Sequence, residues 1–307
     1  MPETLVGLRL DKALSELFPE YSRGRLQRWL KEGAILVDGQ SPRARDKTKG
    51  GESIELVKPE ETGEQGFVPE PVPLEVVHED DALLIINKPA GLVVHPAVGN
   101  WSGTLMNGLL HRYPGIGEVP RAGIVHRLDK ETSGLMVVAK TLEAHHFLVA
   151  SLQRRDISRE YLALVEGCFV SGGTVDEPIG RHPVDRKKMA VVRNGKPAVT
   201  HYRLRQRYLA HTLLDVKLET GRTHQIRVHM AHLRHPIVGD PVYGGRKRIP
   251  KGLDEATISV LAGFPRQALH ARRLGLEHPV SHELMSWEAP VPEDMQALLD
   301  VLEPWKQ

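Results

Sequence analysis

One polar loop carries the residue types that could do chemistry. The phrase GIVHRLDKETSGLMVVAK, residues 123–140, places His126, Arg127 and Asp129 directly before an apolar run. A carboxylate at a loop–strand junction can reach into a cleft, where it can act as a nucleophile or as a base. The same residue type also caps turns by accepting backbone N–H groups. The phrase alone therefore leaves a chemical and a structural role open for Asp129.

Other reactive residue types indicate no second chemistry. His229, His232 and His235 recur at helical intervals, but no acid lies at a useful spacing, so we predict no metal site. The segment NGKP lacks the Gly-x4-Gly-Lys-Ser/Thr frame of a phosphate-binding loop. Because Cys168 is the only cysteine, an intramolecular disulfide is excluded and a reducing compartment fits.

Basic residues are concentrated in two stretches of an almost neutral chain. The formal net charge is only +2, yet residues 22–49 hold eight Lys/Arg against three acids, and residues 181–227 hold twelve against three. Local excesses of this kind suit a polyanion bound in specific places. Two solvated basic surfaces would give the same composition, so the charge pattern does not decide between them.

Length and hydropathy favour a cytoplasmic protein. No stretch of the 307 residues approaches the roughly 20 apolar residues that span a bilayer. The first residues, MPETLVGLRLDKAL, carry charges and lack the long apolar core of a signal peptide. We therefore expect a location in the cytoplasm and no membrane partner.

The elements before residue 58 predict a small helical unit with a short sheet. Apolar residues at helical spacing predict a helix from Leu10 to Leu17 that Pro19 ends, and Ser22 resembles the N-cap of a second helix, residues 23–31. The segments AILVDGQ and SIELV predict two strands, the first running into an Asp-Gly turn. We predict a first domain over 1–58 and a linker over 59–73.

A larger domain, 74–307, is predicted to be α+β. Its apolar segments ALLIINK, GLMVVAK, YLALVEG and TLLDVKLET read as strands, and residues 105–110 and 142–153 read as helices. Helices and strands alternate without a regular βαβ rhythm. This favours a mixed, mostly antiparallel sheet flanked by helices.

Four ordered motifs resemble the A-type family of RNA pseudouridine synthases. The phrase His126-Arg-Leu-Asp129 followed by Thr-Ser-Gly is similar to the family's signature, and NKPAGLVVHPAVGN resembles its early strand-and-loop motif. SREYLALVEG contains the family's tyrosine, here Tyr161, and residues 218–245 match the segment that supplies an arginine, here Arg222. The first domain resembles the alpha-L RNA-binding domain, so the resemblance spans essentially the whole chain.

The resemblance implies an isomerase that converts specific uridines to pseudouridine without a metal or cofactor. It implies that Asp129 is the catalytic carboxylate, as nucleophile or base, that Arg222 is its cationic partner, and that Tyr161 stacks on the base. The expected substrate is the 23S ribosomal RNA of the large subunit, at the stem-loop helix 69. A family member with another RNA target, a non-catalytic assembly factor and a nucleoside hydrolase remain alternatives.

Binding such a substrate requires base flipping and phosphate contacts. In the family the arginine before the catalytic Leu-Asp pair occupies the vacated space, which nominates Arg127, with His126 beside it. The expected partner is ribosomal RNA or an assembly intermediate that contains it, and no protein partner is implied. The residues expected to contact the RNA are Arg127, His126, Arg23, Arg25, Arg28, Arg181, Lys187 and Lys188.

Overall fold

The computed structural model divides the chain into two units, Met1–Gly66 and Phe67–Gln307. It describes residues 1–19, 21, 23–57, 68–96, 99–185, 187–244 and 252–307. The predicted boundary at residue 58, the linker residues 59–67 and the Ser22 cap lie outside these ranges. The domain boundaries therefore stay predictions. No helix in the described ranges is long and apolar enough to cross a membrane.

The first unit contains the two predicted helices and a two-stranded sheet. Helices α1 and α2 pack through a core formed by leucines, one tryptophan and one isoleucine. The turn after the first strand has Asp38 and Gly39 at positive φ, as the Asp-Gly signal predicts. The elements are α1 (Leu10–Leu17), α2 (Arg23–Glu32), β1 (Ile35–Val37) and β2 (Ile54–Leu56), with β1 and β2 antiparallel.

A buried carboxylate joins α1 to α2. The side chain of Asp11 is fully buried and accepts hydrogen bonds from Arg9 (3.1 Å), Arg23 (2.7 Å) and Gln27. Burial would raise the pKa of Asp11, but these hydrogen bonds outweigh it and lower the pKa to about 2. Arg23 thus pairs with this carboxylate while half of its side chain stays exposed, and its contact with RNA stays a prediction.

The second unit is built on one large sheet. Its strands are β3 (Val76–Glu79), β4 (Leu83–Lys88), β5 (Ser133–Ala139), β6 (Ser158–Glu166), β7 (Gly173–Asp176), β8 (Ile179–Arg181), β9 (Met189–Val191), β10 (Val199–Arg207), β11 (His211–Leu218), β12 (Leu269–Glu277) and β13 (Leu284–Glu288). Its helices are α3 (Leu105–Arg112), α4 (Leu142–Arg154), α5 (Gln225–His232), α6 (Glu255–Gly263) and α7 (Glu293–Asp300).

The strand order is β3-β4-β5-β12-β6-β11-β10-β7, and β13 adds to β12. Only β5 and β12 pair in parallel, while β8 and β9 form a separate antiparallel pair. Helix α4 covers one face of the sheet, and α3, α5 and α7 contribute to the core on the other. These observations confirm the predicted α+β class with a mixed, mostly antiparallel sheet flanked by helices.

The parallel pairing of β5 and β12 depends on the glycine of the Thr-Ser-Gly motif. Gly134 has φ +114°, and a Cβ there would lie 2.2 Å from the carbonyl oxygen of Ala271. Beside it, the Ser133 hydroxyl lies 3.0 Å from Nδ1 of His270. No larger residue fits at position 134 without moving β12 away.

The described end of the predicted linker belongs to the second unit. The backbone N–H of Glu70 donates to the Asn107 carbonyl of α3 at 3.1 Å, and the Asn107 side chain donates to the Val68 carbonyl at 2.8 Å. Residues 68–73 thus pack against α3 instead of linking the units freely.

We expect Asp11→Asn to lower the local free energy of unfolding of α1 and α2 by about 2 kcal/mol, since charge-assisted hydrogen bonds are lost. Amide hydrogen exchange of the two helices in the full chain measures this. Because the folded pKa of Asp11 lies below the ordinary aspartate value of 3.8, its contribution is intact above pH 3.8 and disappears as the pH falls through about 2.

The matched control is Glu16→Gln on the same helix. Glu16 forms only an exposed pair with Lys12 at 4.0 Å, worth under about 0.5 kcal/mol. Equal losses for the two variants would contradict the role assigned to Asp11.

Candidate active site

The loop that carries Asp129 is fastened to β4 by a buried lysine. Lys88, fully buried at the end of β4, donates from Nζ to the carbonyls of Pro89 (2.7 Å), Leu92 (3.0 Å) and Lys130 (2.9 Å). Burial lowers the pKa of Lys88 to about 7, against the opposing charges of Glu131 and Asp129. Through these three contacts, the lysine of the Asn-Lys-Pro motif holds the loop that carries Asp129 next to the end of β4.

The same loop is also fastened to the segment before β12. Arg266 donates from Nη1 to the Glu131 carbonyl at 3.2 Å and forms a two-point ion pair with Asp294 (2.6 and 2.8 Å). The side-chain amide of Gln267 donates to the Thr132 hydroxyl at 3.1 Å. The backbone on the C-terminal side of Asp129 is therefore held from two directions.

The cation beside Asp129 is Arg227. Its Nη1 donates to Oδ2 of Asp129 at 3.0 Å, while its Nε and Nη2 donate to the two oxygens of Asp240 at 2.7 and 2.9 Å. Arg227 and Asp240 are buried, whereas the Asp129 side chain remains 17% exposed. The Arg227 guanidinium therefore binds both the buried carboxylate of Asp240 and the partly exposed carboxylate of Asp129.

Asp240 fixes this guanidinium in place. It accepts backbone N–H groups from Val242 (2.8 Å) and Tyr243 (2.9 Å) in addition to its bonds with Arg227. Burial would raise the pKa of Asp240, but the bonds from Arg227 outweigh it and the pKa is lowered. Burial acts to lower the pKa of Arg227, yet the two carboxylates raise it above its usual value. Both partners therefore stay charged.

A histidine and a tyrosine complete the wall around Asp129. Nε2 of His224 lies 3.8 Å from Oδ1 of Asp129, and its Nδ1 lies 2.8 Å from the Tyr243 hydroxyl. That hydroxyl also accepts the backbone N–H of Met189 at 3.0 Å and can donate its own proton to Nδ1 of His224. In the tautomer that accepts this proton at Nδ1, a neutral His224 carries its own proton on Nε2, the nitrogen 3.8 Å from Asp129.

Tyr161 on β6 lies near enough to Asp129 to feel its charge, and His126 belongs to the loop itself. Tyr161 is 7% exposed, and burial raises its pKa, as does the nearby charge of Asp129, while Arg159 opposes them. His126 accepts the backbone N–H of Val137 through Nε2 at 3.1 Å. Burial and the charge of Arg159 lower the pKa of His126 to about 3, so it stays neutral and fastens the loop to β5.

Arg222, predicted as the partner of Asp129, lies elsewhere. Its Nε donates to the Pro197 carbonyl at 3.0 Å, and its backbone N–H donates to the Gln225 side chain at 2.9 Å. The prediction is therefore wrong about which arginine faces the carboxylate, because the turn closed by Gln225 directs Arg222 toward Pro197. A sequence signal was available: Arg227 lies within a buried helical run, where a charge requires a partner.

The residues expected to contact RNA differ in exposure. Arg127 and Arg28 are exposed and form no ion pair with any described residue, and Arg181 and Lys187 are exposed at the β8–β9 hairpin. Lys188 lies 3.9 Å from Asp185 in a half-exposed pair. Only the backbone of Arg25 is described.

Two of the three histidines that we predict not to bind a metal form hydrogen bonds with other residues. His229 bonds to the Thr200 hydroxyl (2.9 Å) and to the Glu177 carbonyl (3.0 Å), and His235 bonds to the Glu166 carbonyl (2.7 Å). The described residues include no group of three or more His, Cys, Asp or Glu arranged to hold a metal ion.

Comparison with protein families identifies both units. A family described as RNA pseudouridylate synthase matches residues 82–232, and the S4 domain matches residues 8–52. The chain is 57% identical over 302 residues to a protein of Xanthomonas campestris named ribosomal large subunit pseudouridine synthase D, covering 98% of this chain and 91% of that one. Identically named proteins of Escherichia coli and Pseudomonas aeruginosa are each 56% identical, and the alignments cover 98% of this chain and 92% and 94% of theirs.

Two human structures share the fold. RNA Pseudouridylate Synthase Domain Containing 4 superposes with a TM-score of 0.59 at 29% identity, covering 75% of this chain and 93% of the human one. Domain Containing 1 gives a TM-score of 0.59 at 26% identity, with coverages of 78% and 90%. The family resemblance read from the motifs is confirmed.

We expect Arg227→Met to reduce the free energy of unfolding by about 3 to 5 kcal/mol, because it leaves the buried Asp240 charge unpaired. Arg222→Met should cost less than about 1 kcal/mol, since it removes one bond to a carbonyl. Urea denaturation of the full chain measures both losses.

Adding Asp240→Asn to Arg227→Met should restore part of the lost stability, because it removes the unpaired charge. A larger loss for Arg222→Met than for Arg227→Met would show that the wrong arginine has been placed beside the carboxylate.

Proposed function

This chain belongs to the RNA pseudouridylate synthase family and is an RNA pseudouridine synthase, and from that premise we propose that its substrate is the 23S ribosomal RNA of the large subunit. The relatives named above carry the large ribosomal subunit in their names, and they match this chain over nearly its whole length. We propose the helix 69 stem-loop as the site of modification. A cytoplasmic location accompanies this substrate.

We propose that Asp129 is the catalytic carboxylate. The observation that carries this role is its geometry: one oxygen is held by the anchored guanidinium of Arg227, and the side chain is still partly open to solvent. The reaction breaks the bond from ribose C1′ to uracil N1, forms a bond from C1′ to C5, releases the C5 proton and protonates N1. Asp129 serves either as nucleophile on the sugar or base, or as the base that removes a sugar proton.

We propose separate roles for Tyr161 and Arg127 when the base is displaced. The ring of Tyr161 presents a flat face with a polar tip, which suits stacking on an extruded uracil. Arg127, exposed two residues before Asp129, is placed to occupy the space that the flipped nucleotide leaves. Arg222 retains a supporting role in the turn before α5.

Basic residues of both units are proposed to hold the RNA backbone. The S4 domain suggests RNA binding by the first unit, where Arg25 and Arg28 lie on α2. In the second unit, Arg181, Lys187 and Lys188 form a basic edge at the β8–β9 hairpin. We propose that His126 and Arg23 position their own elements, because His126 binds a backbone N–H of β5 and Arg23 binds Asp11.

Asp129→Asn should lower turnover at least about 1000-fold while leaving the RNA dissociation constant within a few-fold, because the substitution keeps shape and removes the charge. The assay follows tritium release from 23S transcripts labelled at uracil C5, with mapping of the modified positions. The control is Asp156→Asn, an exposed residue paired with Arg154.

The assay separates the alternatives. Isomerisation releases tritium and leaves the base attached, hydrolysis liberates labelled uracil, and a protein that only binds RNA does neither. Modification outside helix 69 would reject that target while keeping the activity.

Removing the charges of Arg25 and Arg28 together should raise the RNA dissociation constant and reduce the slope of its logarithm against log salt by about 0.7 to 0.9 for each lost phosphate contact. Turnover at saturating RNA should change little, because neither residue belongs to the site around Asp129. Filter binding over a potassium chloride series measures the slope, with Lys12→Gln on α1 as the control. Collapsed turnover with unchanged binding would refute this division of labour.

A further inference from the structure

Arg159 is a buried cation that has no counter-ion among the residues the structure describes. Three arginines are buried among the described residues: Arg159 (7% exposed), Arg227 and Arg266. The other two each form a two-point ion pair, with Asp240 and Asp294. Arg159 forms no ion pair with any described residue.

The hydrogen bonds of Arg159 offset little of the free energy that is needed to bury its charge. Its Nη2 donates to the Glu219 carbonyl at a long 3.3 Å, and its Nε has no partner among the described atoms. An unpaired charge taken out of water costs several kcal/mol. A fold that carries this cost at one position commonly does so at a functional site.

The position of Arg159 is next to the catalytic groups. It precedes Tyr161 by two residues on β6, so the two side chains leave the strand on the same face. Its charge acts on both Tyr161 and His126. A Cβ on Gly221 would lie 2.8 Å from Nη1, so the guanidinium packs directly on the turn that leads to α5.

We propose that Arg159 binds a backbone phosphodiester of the target nucleotide, so that the substrate supplies its missing anion. The proposal rests on the RNA substrate given above. Two residues along a strand span about 7 Å, comparable with the distance from a base to its own phosphates. A base stacked on Tyr161 therefore brings a phosphate within reach of this guanidinium, which accepts phosphate oxygens in a two-point arrangement.

The test uses Arg159→Gln and Arg159→Lys in the full chain. The control is Arg155→Gln, because Arg155 pairs with the side chain of Glu219 and so touches the same turn from its exposed side. Loss of one charge-assisted bond should raise the dissociation constant of Arg159→Gln for the 23S transcript about 10- to 100-fold. Its salt slope should fall by about 0.7 to 0.9. Arg159→Lys should keep most of the slope, and Arg155→Gln should match wild type.

Neutral methylphosphonates locate the contact. They are placed singly at the phosphates flanking the modified uridine in a synthetic stem-loop, whose sequence is taken from the position mapped in the 23S transcript. At one of these positions the methylphosphonate should weaken binding by wild type and by Arg155→Gln. The same methylphosphonate should not weaken binding by Arg159→Gln any further, because that variant has already lost the contact. Equal losses for wild type and Arg159→Gln at every flanking phosphate would overturn the proposal.

Thermal stability separates binding from a structural role. Removing an unpaired buried charge should leave the melting temperature of Arg159→Gln unchanged or higher. A lower melting temperature with an unchanged salt slope would make Arg159 a support for the turn at Glu219, and the phosphate assignment would be wrong. If wild type released no tritium from the 23S transcript, the proposed substrate would fail, while the salt slope of RNA binding would still decide the role of Arg159.

Discussion

The site depends on a single guanidinium shared by two carboxylates. Asp240 gives Arg227 a fixed orientation through two hydrogen bonds, and the remaining donor is directed at Asp129. Because a bidentate pair fixes direction as well as distance, the buried carboxylate of Asp240 determines, through Arg227, where the carboxylate of Asp129 is held. A lysine could not replace this arginine, since its ammonium lacks the planar set of donors.

The backbone of the loop that carries Asp129 is held by hydrogen bonds from buried basic side chains. Lys88 and Arg266 bind the carbonyls of Lys130 and Glu131, and His126 accepts a backbone N–H of β5. These contacts fix the backbone on both sides of Asp129. Arg266 also places a positive charge near the loop, in an enzyme whose substrate is a polyanion.

Much of this architecture could be predicted because it follows from local patterns. Helices α1 to α4 and the apolar strands β4, β5, β6 and β11 follow from apolar periodicity. Strand β10 was not predicted, because its alternation of arginine and polar residues, half-exposed in the structure, also suits a solvated basic segment. The four motifs nominate Asp129 and Tyr161 as site residues, and these two assignments stay predictions.

The side-chain partners could not be predicted in the same way. Whether Arg222 or Arg227 faces Asp129 depends on a turn held by the Gln225 side chain, and this turn is a tertiary feature. The residue type alone does not predict a role in the site for Lys88, His224 or Asp240. Their roles arise from contacts with residues that are distant in the sequence. Their burial as polar residues becomes informative only when the fold is known.

The position of β12 sets the order in which the enzyme can be completed. This strand lies between β5 and β6 in the sheet, although about a hundred residues of chain separate it from β6. A nascent chain emerging from the ribosome has made β5 and β6 long before the strand that joins them exists. The two halves of the sheet remain apart until β12 has been made, and only then can Arg266 and Gln267 reach the loop of Asp129. The topology thereby delays completion of the site around Asp129 until this strand has been synthesised.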